Sequence, residues 1–187
     1  MSKDKGREAI AGLLTQRQLE VLNRLKRQYE RALGKLAMRF SLLHVTLEWF
    51  SWKAWNLNPR SGRILTKDLR VTHLAEKLEK TAEYVIPRMD NRKMFLSILK
   101  EIKKVAEKRN ELLHSFWFIR EGEPVWCFNR TRGELIGTDA QSVEQINELC
   151  SAINNILEDF GRFEEKNPLM GMGLLGMNLE SSENTGK

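Results

Sequence analysis

From Leu22 to Phe50 the residues Leu22, Leu25, Tyr29, Leu33, Leu36, Phe40, Leu43, Leu47 and Phe50 recur at spacings of three and four, the period of one face of an α-helix. Run unbroken from Thr15 to Leu57, such a helix would span about 65 Å at the usual rise per residue, longer than a compact domain of this size normally uses. The pattern therefore predicts a bend near Gly34 or around Ser41, or a projecting end. Asn58-Pro59 is the expected stop. The exposed positions carry Arg17, Arg24, Lys26, Arg27, Arg31, Lys35 and Arg39 against Glu20 and Glu30. A solvated face is the plainer reading, an RNA-binding stripe including Arg24, Arg27 and Arg31 the sharper one. Trp49, Trp52 and Trp55 follow at threes, as core or as a dimer interface.

Three further helices follow from the same period. One is expected after Thr66 as N-cap, through Leu69, Leu74, Leu78, Ala82 and Val85 to Pro87. The next takes Asp90 as N-cap and places Phe95, Ile98, Ile102, Val105, Arg109, Leu112 and Phe116 on one face. The last follows Thr138 or Ser142, each with a Gln three residues on, and carries Val143, Ile146, Leu149, Ile153, Ile156 and Phe160. Between them, Phe116–Ile119, Val125–Phe128 and Leu135-Ile136 change period around the turn signal Glu121-Gly122-Glu123-Pro124, which reads as a short hairpin or meander. The expected fold is mainly all-α: four helices, up and down, with the hairpin at about 116–137 inserted before the last. Residues 1–14 are expected to be flexible, 15–165 to form one domain, and the Gly- and Met-rich 166–187 to be disordered.

The 187 residues, 41% hydrophobic and 30% charged, suffice for a sizeable core. Cys127 and Cys150 form no CxxC pair, so neither a disulfide framework nor a cysteine zinc site is supported. His44 and His73 stand alone, without HxxxH or HExxH spacing, and no metal or other cofactor is implied. No P-loop, GxGxxG or GxSxG occurs. The polar amino terminus and the absence of a membrane-length apolar run lead to the expectation of a cytoplasmic protein without membrane partners. Charge is unevenly spread: residues 1–133 hold 28 basic and 15 acidic side chains, net +13, and residues 134–187 hold 3 and 10, net −7. That polarity points to an anionic partner at the front of the chain, with the acidic end facing away or covering the basic surface.

Arg109 is the one local inconsistency, a charge where the helical stripe calls for an apolar residue, and it must be paired or face a polar cleft. It opens the segment Lys108-Arg109-Asn110-Glu111-Leu112-Leu113-His114-Ser115. With Asn110 directly after the Arg and His114 five residues on, this segment resembles the Arg-(four to six residues)-His signature of the HEPN superfamily (higher eukaryotes and prokaryotes nucleotide-binding domain), whose members are small helical bundles. The resemblance implies a metal-independent endoribonuclease, active as a homodimer with Arg and His from both protomers in one cleft, with Lys108 beside it on the RNA. An antitoxin or other regulatory protein is a further implied partner, in a toxin–antitoxin or phage-defence setting. Phe116 stands where one toxin branch has a tyrosine two residues after the histidine, so control by modification of that tyrosine is not expected.

The residue types suit that chemistry. Histidine, with a reference pKa of about 6.5, can take the proton of a 2′-hydroxyl or supply one to the leaving oxygen. Arginine offers a fork of donors to phosphate oxygens as charge builds, and Asn110 would orient the histidine or bind phosphate. Five helical steps separate Arg109 from His114 by about 140°. They meet on one substrate only if the helix end unwinds or if they come from different protomers. Two other readings of the protein stay open: a noncatalytic module binding RNA or nucleotide, and a helical scaffold that associates through the Trp49, Trp52 and Trp55 region; the plainer reading of the motif itself is that Arg109 pairs with Glu107, Glu111 or a neighbouring helix and His114 caps a helix end.

Overall fold

The computed structural model describes residues 16–114, 116–118, 126–131, 134–138 and 142–167. Helix dominates them: α1 (Gln16–Ala54), α2 (Pro59–Thr66), α3 (Val71–Val85), α4 (Met89–His114) and α5 (Val143–Lys166). Between α4 and α5 the backbone pairs in a three-stranded antiparallel sheet, ordered β1 (Phe116–Phe118), β2 (Trp126–Thr131), β3 (Glu134–Thr138). Phe116 stands opposite Phe128, and Asn129 opposite Ile136. Among the described residues no helix is long and apolar enough to cross a membrane.

The first helix is a single 39-residue element that stays helical through both Gly34 and Ser41. The Ser41 hydroxyl donates to the Ala37 carbonyl at 2.9 Å, which satisfies it within the helix. Termination comes earlier than Asn58-Pro59. Asn56 adopts the left-handed conformation (φ 51°), its amide donates to Lys53 O at 3.0 Å, and the Leu57 amide donates to Trp52 O at 2.8 Å. This is a Schellman closure, with Asn taking the place more often held by Gly. Asn58-Pro59 instead starts α2: the Asn58 side chain accepts from the Ser61 amide at 3.0 Å and Pro59 occupies the first helical position.

The chain divides into two compact units. One comprises the described residues of Met1–Leu42 and Lys104–Asn154. Its core is Tyr29, Ala32, Leu36 and Phe40 from α1, Val105, Ala106 and Leu112 from α4, and Ile146, Leu149, Cys150 and Ile153 from α5. Leu22, Leu25 and Leu33 are only half-buried. Ser142, not Thr138, caps α5: its Oγ accepts from the Gln145 amide at 3.2 Å, and Gln145 Oε1 accepts from the Ser142 amide at 2.7 Å, the reciprocal pair of a capping box. Burial pushes the Cys150 thiol pKa up, against the pull of Lys35 and Arg39.

The other unit comprises Leu43–Lys103 and the described residues of Asn155–Lys187. At its centre Phe50 lies 4.9 Å from Phe95, 5.4 Å from Phe160 and 5.8 Å from Phe163, ring centroid to centroid. Thr66 is not an N-cap but a buried hub: its hydroxyl accepts from Trp52 Nε1 at 2.9 Å and lies 3.0 Å from both Glu48 Oε1 and Gly62 O. The following helix starts at Val71 with Arg70 as N-cap, and Leu69 lies outside it. Asp90 likewise lies in the first turn of α4 rather than at its cap. Trp52 is buried, while Trp49 and Trp55 are half-buried, Trp55 Nε1 donating to Thr81 Oγ1 at 3.1 Å. His44 Nε2 lies 3.1 Å from Leu69 O, and His73 is exposed.

Candidate functional site

The α4 stripe buries Ile98, Ile102, Val105 and Leu112. Arg109, at the position between Val105 and Leu112, is carried by the same periodicity toward α1 instead of solvent. There its guanidinium carbon lies 4.8 Å from the ring centroid of the buried Phe40. Such stacking is worth about 0.5–1 kcal/mol at exposed sites and about 2 when desolvated. Nη1 donates to Asn110 Oδ1 at 3.0 Å. Nε is shielded from solvent and has no hydrogen-bond partner among the described residues. A shielded donor left without a partner costs about 1–3 kcal/mol. Burial lowers the Arg109 pKa from its ordinary value, yet arginine starts so high that it keeps its charge.

Among the described residues no carboxylate comes within ion-pair distance of Arg109, so the expected alternative of pairing with Glu107 or Glu111 is not what the structure shows. An arginine held in this way has a fork of donors only partly used. Asn110 is exposed, with its carbonyl oxygen turned to Arg109. Lys108 is exposed.

His114 is the last residue of α4, and its side chain lies outside the described residues. The helix persists to that point, so Arg109 and His114 of one chain are separated by about 7.5 Å along the axis and about 140° around it. The unwinding route between them is not taken.

On α1, Arg24, Arg27 and Arg31 are all exposed. Arg31 lines a cleft together with Lys35, and Arg24 and Arg27 are not part of that cleft's lining. Among the described residues no three His, Cys, Asp or Glu side chains come together to hold a metal ion. Sequence reasoning missed Phe40 as the partner of Arg109. Both the off-pattern charge and the aromatic stripe were visible, but the register between α1 and α4 is not a local property.

No protein-family model, curated protein or solved structure matches the chain.

Proposed function

We propose that this protein is a metal-independent endoribonuclease of the HEPN type, built as a helical domain with an antiparallel insertion before its last helix. It acts as a homodimer in which Arg109 of one copy and His114 of the other address one phosphodiester. The observation that carries the reading is Arg109 itself: a half-buried cation stacked on Phe40, with neither a carboxylate partner nor a partner for its Nε donor among the described residues. A side chain kept at such a cost on an apolar stripe serves an anion that binds there. Continuity of α4 to His114 supports the two-copy arrangement, because the two residues diverge within one chain.

In this mechanism His114 takes the 2′-hydroxyl proton, the freed oxygen attacks the adjacent phosphorus, and the 5′-oxygen leaves with a proton from the second copy's histidine. Arg109 neutralises the charge that builds on the non-bridging oxygens. Asn110 holds the guanidinium plane through its Oδ1. The products carry a 2′,3′-cyclic phosphate and a 5′-hydroxyl, and the need for the 2′-hydroxyl selects RNA over DNA.

EDTA-treated protein mixed with an RNA pool tests the reading. Cleavage should persist, yield cyclic phosphate ends, and fall at least about a hundredfold in His114→Ala, the lower end of what general acid–base catalysis contributes. Strict dependence on added divalent metal, or undiminished cleavage by His114→Ala, would overturn it.

A further inference from the structure

Within the unit that contains Arg109, α1 and the first turns of α5 flank an open cleft of about 390 Å³, lined by Gln28, Tyr29, Arg31 and Lys35 from α1 and by Glu144 and Asn147 from α5. Ligand pockets commonly start at about 300 Å³, so the space admits one nucleotide unit of a longer strand.

Its two cations are uncommitted: among the described residues neither Arg31 nor Lys35 has a carboxylate within 4.0 Å, although Glu144 also lines the cleft. Lys26, elsewhere on the same helix, does pair with Glu30, at 3.9 Å. The positive end of α5 is not the attraction, because its capping box already occupies the Gln145 amide. Recognition falls to side chains. Arg31 and Lys35 stand one helical turn apart on α1, and two separate cations suit two successive singly charged phosphodiesters better than one doubly charged terminal phosphate. The Glu144 carboxylate accepts from a ribose hydroxyl, and the Gln28 and Asn147 amides offer both donors and acceptors to a base edge.

We propose that this cleft is an anchoring subsite for single-stranded RNA, with Arg31 and Lys35 on successive phosphodiesters. The inference rests on the ribonuclease reading for its choice of RNA. It adds a place for the strand apart from the reacting centre: along α1, Arg31 and Lys35 precede Phe40 by nine and five residues, about 13.5 and 7.5 Å of helix.

The test uses the full chain carrying His114→Ala, so that the strand is not cut, and a short fluorescein-labelled oligoribonucleotide of mixed sequence, with anisotropy followed across a salt series. Adding Arg31→Gln with Lys35→Gln should weaken binding about tenfold near physiological salt. The same pair should reduce the log–log salt slope by about 1.4, since each phosphate of a single strand that is no longer neutralised lowers it by about 0.7. Arg60→Gln with Arg63→Gln removes the same charge from exposed positions on α2 and should change affinity less than about threefold. Equal weakening by both pairs would show diffuse attraction and overturn the subsite. Unchanged affinity and slope in the Arg31/Lys35 pair would overturn it while leaving the ribonuclease reading standing. If the His114→Ala protein binds no RNA, the ribonuclease reading falls with it.

Discussion

Replacing Arg109 by Met should make the protein more stable while abolishing RNA cleavage. The shielded Nε, without a partner among the described residues, costs about 1–3 kcal/mol, and the substitution removes that cost. The contact of the guanidinium with Phe40 at 4.8 Å returns about 0.5–2 kcal/mol, part of which a thioether recovers, since sulfur–aromatic contacts are worth about 0.3–1.5 kcal/mol. The bond from Nη1 to Asn110 is exposed and counts for little. The balance is a net gain of about 1 kcal/mol, or about 2–4 °C in Tm for a chain of this size. Urea titration followed by far-UV circular dichroism reads it, beside a cleavage assay on the same preparation. A loss of more than about 1 kcal/mol would refute the reasoning, because it would mean that Arg109 is retained for the fold and not held there at a cost. Retained cleavage would break the link between the inconsistency and the chemistry.

Two further perturbations probe the frame. Gly62→Ala should destabilise by about 1–3 kcal/mol, the usual range for overpacking, since an added Cβ would collide with the indole carbons of the buried Trp52; a thermal melt above wild type would mean that helix propensity outweighs the clash. Glu144, in the first turn of α5, has its carboxyl pKa held down by its own backbone amide and the Ser142 hydroxyl. A carboxyl whose folded pKa lies below its unfolded one adds stability above the unfolded pKa and loses it as pH falls through the folded one. Glu144→Gln should therefore have a lower urea midpoint than wild type at neutral pH, with the gap closing on acidification through the carboxylate range; a gap independent of pH would exclude an ionic origin.

Several elements were legible because their causes are local. The three-and-four spacing of Leu36, Phe40, Leu43 and Leu47 defines which face of α1 is buried whatever packs on it, and the same holds for Ile146, Leu149, Ile153 and Phe160 on α5. The serine-to-glutamine spacing marked a cap because both bonds lie within four residues. Asn58-Pro59 is ambiguous in sequence because one dipeptide can end a helix or begin one; here it begins α2, since Asn56 closes α1 before it. Thr66 carries the residue type of a cap, yet its hydroxyl is held by Trp52 and Glu48, 14 and 18 positions away. No short window contains that choice.

By itself, the sequence determined that the chain is mainly helical, which side of each long helix is apolar, and that one arginine interrupts an apolar stripe five residues before a histidine. Each of these is a periodicity or a spacing, carried by neighbours along the chain. Only the tertiary structure decided that the arginine lies over Phe40 without a carboxylate partner among the described residues, and that Arg31 and Lys35 line a cleft with the start of α5 while Arg24 and Arg27 do not. Those outcomes depend on the register of helices far apart in sequence, which is settled by the total fit of their side chains and is written in no single segment.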